Sequence, residues 1–216
     1  MRFWKGSRNA CEVAVLQMGM GPESATRSLA WASERVSPRV VLATGCAGAL
    51  AVGLRPGELV IAEEVCTRGL SWPTSAEWTE RCSRASRGLR RKAHRGRLLA
   101  SFSMLTSAEE KKRAGTDSGA LAVAMEDGAV AEWALARGVE FVSVRVILDP
   151  VEMAIPREIS SITGPSGGVR PHRLLAAVVR RPGLLADFLR LASALRACRS
   201  TLESLHRRLL DDLGAR

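Results

Sequence analysis

The sequence predicts an α/β domain with a mixed, largely parallel central sheet flanked by helices, followed by a helical C-terminal tail at 171–213. Short apolar runs alternate with segments of helical spacing, an order typical of parallel strands joined by crossover helices. Several of these runs lack the in-out alternation of a half-exposed sheet, so both faces of those strands are expected to be covered. A chain of 216 residues suits one domain spanning 1–216.

Six apolar runs rich in valine, isoleucine and leucine are predicted to be strands. They are Glu12–Leu16, Val40–Thr44, Glu58–Val65, Arg97–Phe102, Leu121–Met125 and Glu140–Ile147.

Helical spacing separates many of these runs. Ser24 to Val36 is alanine-rich and ends before Pro38, and Asp127 to Arg137 stops at Gly138. Thr74 to Glu77 has the spacing of a capping box, ahead of a helix predicted to reach Leu89.

The C-terminal part of the sequence changes character. Ser160 to Arg170 is rich in glycine and is predicted to be a loop. Beyond it, Pro182 and Gly183 divide a short helical segment from a long one that ends near Leu213.

Composition excludes several classes of protein. No apolar run approaches the roughly 18 residues that a membrane span needs, and Met1 to Arg8 lacks the apolar core of a secretory signal. The sequence therefore predicts a cytoplasmic protein. Its five cysteines form no C-x-x-C pair, which argues against a zinc module or a disulfide scaffold and favours small buried thiols that stay reduced.

The net charge of +10 predicts attraction to an anion, whether phosphate, nucleic acid or an anionic membrane surface. The densest basic run is Arg84 to Arg97. It lacks the interleaved aromatic residues of a nucleic-acid site, so we interpret it as a solvated helix end and loop and do not expect a nucleic-acid partner.

Ligands of open parallel sheets bind at the carboxyl ends of the strands, so the residues after each apolar run are candidate site residues. Gly19 and Gly21 follow the first run and indicate either a loop that binds an anion or a tight turn without a ligand. Gly45 and Gly48 follow the second run. They leave room either for a planar ligand or for close packing of a helix on the sheet.

Two later junctions carry carboxylates. Glu126 and Asp127 follow one strand, and we expect Glu126 to accept hydrogen bonds from vicinal sugar hydroxyls and Asp127 to cap the next helix. Asp149 ends the last strand beside Val146 and Leu148. Partial desolvation there favours an acid that donates a proton to a leaving group, and a turn-initiating Asp-Pro is the alternative.

Taken together and in order, five motifs resemble the nucleoside phosphorylase and nucleosidase superfamily, which includes purine nucleoside phosphorylase and methylthioadenosine/S-adenosylhomocysteine nucleosidase. They are Met18–Pro22, Thr44–Gly48, Leu54–Val60, Val123–Glu126 and Val144–Asp149. Within the superfamily the sequence is most similar to the hopanoid-associated phosphorylase branch. The stretches that support this are Trp72–Trp78, Thr116–Val123, Ile155–Pro156 and Arg180–Leu185.

The resemblance implies a role for each matching residue. Asp149 matches the aspartate that protonates or hydrogen-bonds the purine at N7, and Met125 and Glu126 match the pair that binds the ribose. The resemblance also places a glycine loop along the sugar and the nucleophile, and two residues in register with the aromatic group that stacks on the base. These further residues are Gly45, Cys46, Ala47 and Gly48 for the loop, and Phe102 or Met104 for the base.

The implied activity is cleavage of the N-glycosidic bond of a purine nucleoside by water or by phosphate, with no metal and no cofactor beyond phosphate as a co-substrate. The branch suggests adenine release from an adenosyl-hopanoid lipid precursor, with peripheral contact to the inner face of the membrane. The superfamily also implies a homodimer or a larger homo-oligomer.

One departure from the family pattern leaves an alternative open. The family's first strand and the loop after it, which carry a glutamate general base or a phosphate-binding loop, have no match ahead of Glu12. A nucleoside-binding or scaffold protein without turnover is therefore the second hypothesis.

Overall fold

The computed structural model describes residues 1–8, 11–155 and 184–213, which form eight strands and five helices. The predicted loop at 160–170 and residues 171–183 of the predicted tail lie outside these described residues. The strands are β1 (Arg2–Arg8), β2 (Cys11–Gln17), β3 (Val40–Ala49), β4 (Leu59–Cys66), β5 (Ser71–Pro73), β6 (Ala93–Ala100), β7 (Ala122–Ala124) and β8 (Glu140–Asp149). The helices are α1 (Pro22–Ser33), α2 (Ala76–Ser86), α3 (Ala108–Ser118), α4 (Asp127–Leu135) and α5 (Leu184–Leu213).

Six strands form the central sheet in the order β5-β4-β6-β7-β3-β8. The longest pairings, β3 with β8 and β4 with β6, are parallel, and β6 with β7 is parallel as well. The pairings of β3 with β7, β4 with β5 and β4 with β8 are antiparallel. The last of these joins the two sides of the sheet, so five of its strands close into a ring. The predicted α/β fold with a mixed sheet is confirmed.

Helices cover both faces of the sheet because its strands are apolar on both faces. In β4, Leu59 and Ile61 point into one cluster while Val60 and Ala62 point into the other, as the two-residue period of a strand requires. The first cluster includes Cys82 of α2 and Leu205 of α5, and the second includes helical residues of α1 and α4. The prediction of strands buried on both sides is correct for β4 and β8.

The prediction is wrong for the first apolar run. Strand β2 pairs with β1 from Arg2 opposite Gln17 to Arg8 opposite Cys11, and this hairpin is a sheet of its own. Four residues of β2 are exposed, with Val15 at 52%. The run is apolar, but it lies in a two-stranded hairpin outside the central sheet. Helices do not cover both faces of this hairpin, so its residues are not buried on both sides.

The helices correct two local predictions. The N-cap of α2 is Ser75, whose hydroxyl accepts from the Trp78 amide, while the Thr74 hydroxyl donates to the carbonyl of Ala62. The capping box predicted at Thr74 is therefore wrong, and α2 ends at Ser86, short of Leu89. A complete capping box does occur between Ser107 and Glu110 at the start of α3, a helix that the apolar pattern did not predict.

The predicted long C-terminal helix is confirmed as α5. Within the described residues, no helix combines the length and the hydropathy that crossing a bilayer requires.

The basic run at 84–97 is not a loop throughout, because strand β6 begins at Ala93. Four of its eight basic side chains pair with carboxylates. The pairs are Arg87 with Glu80 at 3.5 Å, His94 with Glu58 at 3.0 Å, Arg95 with Glu63 at 3.0 Å and Arg97 with Glu64 at 2.8 Å. These contacts compensate part of the positive charge of the run within the protein.

Candidate functional site

Strand β3 brings the two predicted carboxylates to one part of the sheet. Its Gly48 pairs with Asp149 of β8 on one side and with Val123 of β7 on the other. Glu126 follows the end of β7 by two residues, and its carboxylate lies beside Arg145, the residue of β8 that pairs with Gly45. Both carboxylates therefore lie along the glycine stretch 45–48 of β3.

Glu126 is held from two sides. The amide of Gly21 donates to its Oε1 at 2.8 Å, and Arg145 Nη2 lies 3.8 Å from its Oε2. Gly21 has φ +88°, a backbone conformation that favours glycine, and it lies in the turn that begins α1. The carboxylate is 13% exposed, so part of it remains open to a ligand.

Asp127 does not cap α4, contrary to the prediction, because Glu126 occupies the N-cap position and Asp127 is the first helical residue. The Asp127 side chain is fully buried. Its Oδ1 accepts from the Ser143 hydroxyl at 2.6 Å and from Arg145 Nε at 3.2 Å. Burial acts to lower the pKa of Arg145, but the charges of Asp127 and Glu126 outweigh it and raise that pKa. A permanent cation is thus fixed beside Glu126.

Asp149 is buried at the end of β8, where it is 2% exposed, and its Oδ2 forms an ion pair with Lys111 Nζ of α3. Burial raises the pKa of the Asp149 carboxyl, and the positive charge of Lys111 opposes that rise without cancelling it. The prediction that Asp149 is a desolvated acid agrees with this geometry.

Glycines keep the space beside these charged groups free. A Cβ at position 48 would lie 3.2 Å from Asp149 Oδ2 and 3.6 Å from its Oδ1. A Cβ at position 45 would lie 2.7 Å from Arg145 Nη1, which no side chain tolerates without a shift. A side chain at either glycine would therefore displace Arg145 or Asp149 from its present position.

The other predicted binding residues differ in exposure. Met125 is half-buried, and its Cε lies 3.6 Å from the place of a Cβ on Gly21. Met104 is half-buried beyond the end of β6, whereas the Phe102 side chain is 80% exposed. Phe102 therefore points into solvent in this structure, and its stacking on a base stays a prediction.

A sequence profile of the phosphorylase superfamily matches residues 1–180. The chain belongs to that superfamily. Its relatives include the 5'-methylthioadenosine/S-adenosylhomocysteine nucleosidase of Staphylococcus haemolyticus, 34% identical over 65 residues, which are 30% of this chain and 28% of the relative. The match thus spans little more than a quarter of the length of that curated relative.

Two solved structures of such nucleosidases share the fold of this superfamily member. The enzyme from Neisseria meningitidis, in complex with methylthio-immucillin-A, has a TM-score of 0.74 and 16% identity, covering 97% of this chain and 85% of its own. The enzyme from Colwellia psychrerythraea, in complex with adenine, has a TM-score of 0.73 and 19% identity, covering 98% and 83%.

In this phosphorylase superfamily member, a thiol of the glycine loop is hydrogen-bonded to a thiol of α5. Cys46 of β3 is half-buried, and Cys198 of α5 is 1% exposed. The hydrogen bond with Cys198 lowers the pKa of Cys46, burial opposes this, and the positive charge of Arg145 reinforces it. The same hydrogen bond and burial raise the pKa of Cys198. Ala47, between the two glycine contacts, is buried in the core.

Sequence reasoning missed two charged residues of this superfamily site. Arg145 was visible as a lone charge inside the apolar run of β8, a pattern that indicates a buried ionic partner. Lys111 carried no comparable signal, since it lies among exposed charged residues of a polar helix.

Proposed function

We propose that this protein cleaves the N-glycosidic bond of a purine nucleoside and releases adenine. The observation that carries the proposal is the placement of Glu126 and Asp149 on either side of the glycine stretch of β3. Membership of the phosphorylase superfamily supports the class of reaction. The relatives named as nucleosidases for 5'-methylthioadenosine and S-adenosylhomocysteine support a purine nucleoside as substrate.

The two carboxylates have complementary tasks in this reaction. Glu126, whose Oε2 lies 3.8 Å from Arg145 Nη2, accepts hydrogen bonds from the sugar hydroxyls. Asp149, whose pKa is raised by burial, donates a proton to the base. The C–N bond breaks as that proton arrives, its electron pair stays with the base, and water or phosphate bonds to the anomeric carbon of the sugar. When water attacks, the proton that it loses passes to solvent, and Asp149 takes up a proton from solvent before the next turnover. Help to the leaving base is effective because negative charge develops there in the transition state.

The decisive experiment measures both products. Purified protein is incubated with 5'-methylthioadenosine, S-adenosylhomocysteine or adenosine, with and without phosphate, and adenine is quantified by chromatography. Release without phosphate and a free sugar product indicate hydrolysis, whereas dependence on phosphate and a sugar 1-phosphate indicate phosphorolysis.

Two variants tie the result to the site. Asp149→Asn should lower adenine release by about 100- to 10,000-fold while the circular dichroism spectrum stays that of the folded protein, which leaves a residual rate that long incubations can measure. Asp117→Asn is the matched control, because Asp117 is an exposed residue of α3 that pairs only weakly with Arg113. Undiminished release by Asp149→Asn would refute the proposal. Binding of adenosine by calorimetry without any product would favour the nucleoside-binding alternative.

A lipid-linked adenosyl substrate is a narrower form of the proposal. Exposed Met20 and Phe102 support it, because Met20 directly precedes Gly21, whose amide donates to Glu126, and Phe102 follows β6, the strand that pairs with β7. These apolar groups suit a nonpolar substituent on the sugar. An adenosyl-hopanoid should then be cleaved with a higher kcat/KM than adenosine, and sedimentation with anionic liposomes at low salt should recover the protein.

Assembly into a homo-oligomer is part of the proposal. Exposed apolar side chains in the segments after β3, β4 and β6 support it, namely Val52, Leu70 and Phe102. Light scattering should give at least twice the mass of one chain. A monomeric mass over the working concentration range would exclude assembly.

A further inference from the structure

Lys111 is the largest fully buried side chain of the described part of the protein, and α3 buries no other residue. An ammonium group without partners is costly to bury, so a buried lysine needs acceptors for its hydrogens. The face of α3 that packs on the protein is otherwise made of small residues such as Ala114 and Gly115, so packing alone does not account for a buried lysine. The contacts of the Lys111 ammonium group explain why this side chain is buried.

The Lys111 ammonium has three hydrogens and three acceptors. It pairs with Asp149 Oδ2, donates to the Met153 carbonyl at 2.7 Å and donates to the Pro150 carbonyl at 3.3 Å. One cation therefore joins α3 to the end of β8 and to the segment that follows it. Its contact with Asp149 is to Oδ2, and the Asp149 backbone amide also donates to this carboxyl group.

We propose that Lys111 is a positioning residue for Asp149, fixing one carboxylate oxygen so that the other meets the nucleobase of the substrate. This inference rests on the proposed function. Glycine at position 48 is part of the same arrangement, because its missing Cβ leaves both carboxylate oxygens uncrowded. Holding an acid within hydrogen-bond reach of the atom that it protonates is worth orders of magnitude in rate.

The charge of Lys111 has a second effect on the same carboxyl group. Burial raises the pKa of Asp149, and the nearby ammonium limits the rise. An acid whose pKa is near the working pH both gives and recovers its proton readily. Removing the ammonium should therefore change the pH dependence of the reaction as well as its rate.

Three lysine variants test this inference with 5'-methylthioadenosine as the substrate. Lys111→Met removes the charge at similar length, Lys111→Arg keeps the charge, and Lys112→Met is the control on the exposed neighbouring position. We expect Lys111→Met to lower kcat by about 100-fold with little change in KM, since the loss concerns the orientation of the acid. Its high-pH limb of kcat should move to higher pH, because the ammonium that limits the rise of the Asp149 pKa is gone. Lys111→Arg should restore the pH profile.

A double-mutant cycle with Asp149→Asn separates positioning from general stability. If Lys111 acts through Asp149, Lys111→Met should cost nothing further in the Asp149→Asn background. Equal losses in both backgrounds, or a pH profile of Lys111→Met that superimposes on that of the wild type, would overturn the inference. Lys111→Gln replaces Lys111→Met in every measurement if the methionine variant does not fold.

A measurement that needs no substrate tests the role of Lys111 separately from the proposed enzymatic function. The carboxyl carbon of Asp149 is titrated by NMR in the wild type and in Lys111→Met, and the variant should titrate at higher pH. If the wild type releases no base from any nucleoside, the proposed function fails and this titration decides the Lys111 inference. An unchanged Asp149 titration contradicts it.

Discussion

Arg145 Nη2 lies 2.7 Å from Asp127 Oδ2, and both side chains are buried, at 5% and 0% exposed. This pair joins the middle of β8 to the first residue of α4, directly after Glu126. Since both charges are out of water, each depends on the other, and removing one leaves the second without compensation.

Asp127→Asn should therefore lower the free energy of unfolding by about 3–5 kcal/mol, as is usual when one partner of a buried ion pair is removed. Urea denaturation followed by circular dichroism measures this change. The exposed Asp117→Asn variant is the control and should stay within about 0.5 kcal/mol of the wild type. Similar losses in both variants would contradict the view that the buried pair holds α4 in place.

Glu126→Gln keeps an acceptor for the Gly21 amide but removes the negative charge beside Arg145. We expect kcat/KM for 5'-methylthioadenosine to fall about 10- to 100-fold, because hydrogen bonds from sugar hydroxyls to a carboxylate are stronger than those to an amide. Steady-state kinetics measures the effect. Glu132→Gln, on the exposed face of the same helix, should leave the kinetics unchanged. An unaltered kcat/KM in Glu126→Gln would remove that residue from the sugar site.

Gly48→Ala places a methyl group 3.2 Å from Asp149 Oδ2 and 3.4 Å from Val123 Cγ1. The carboxyl group must shift by a few tenths of an ångström, so we expect kcat to fall about 10-fold. Gly6→Ala is the matched control, because a Cβ there meets nothing within 4 Å. An unchanged kcat in Gly48→Ala would show that a methyl group at position 48 does not disturb the Asp149 carboxyl group.

Stability at mildly acidic pH should depend on His206 of α5. Its Nε2 lies 3.1 Å from the Thr44 hydroxyl, and burial lowers its pKa from the usual 6.5. The unfolded chain then binds the proton more readily, so stability is complete above pH 6.5 and is lost as the pH falls below it. His206→Gln should lose less stability than the wild type between about pH 7 and pH 5.

Urea denaturation at several pH values measures that difference. Thr44→Val retains the buried imidazole and should keep the pH dependence of the wild type, which makes it the control. Parallel curves for the wild type and His206→Gln would show that another group titrates in this range.

The sheet and the two carboxylates could be predicted because each has a pattern in the local sequence. Successive residues of β4 are apolar, which predicts a strand covered on both faces, and Glu126 and Asp149 lie at the ends of apolar runs. The burial of Lys111 had no such signal, since its partner lies 38 residues away and the neighbours of Lys111 on α3 are charged. The exposure of β2 likewise depended on which elements pack beside it, and its own composition predicted the opposite.

The antiparallel pairing of β4 with β8 has a consequence for self-association. The five strands of the ring commit their main-chain amides and carbonyls to one another, and within the described residues the sheet's remaining edge is β5, which is only three residues long and ends in Pro73. The β1–β2 hairpin, by contrast, is a separate two-stranded sheet with an outer edge on each strand. Any edge-to-edge growth into fibrils should therefore start at this hairpin, and a proline on its outer edge is the place to block it.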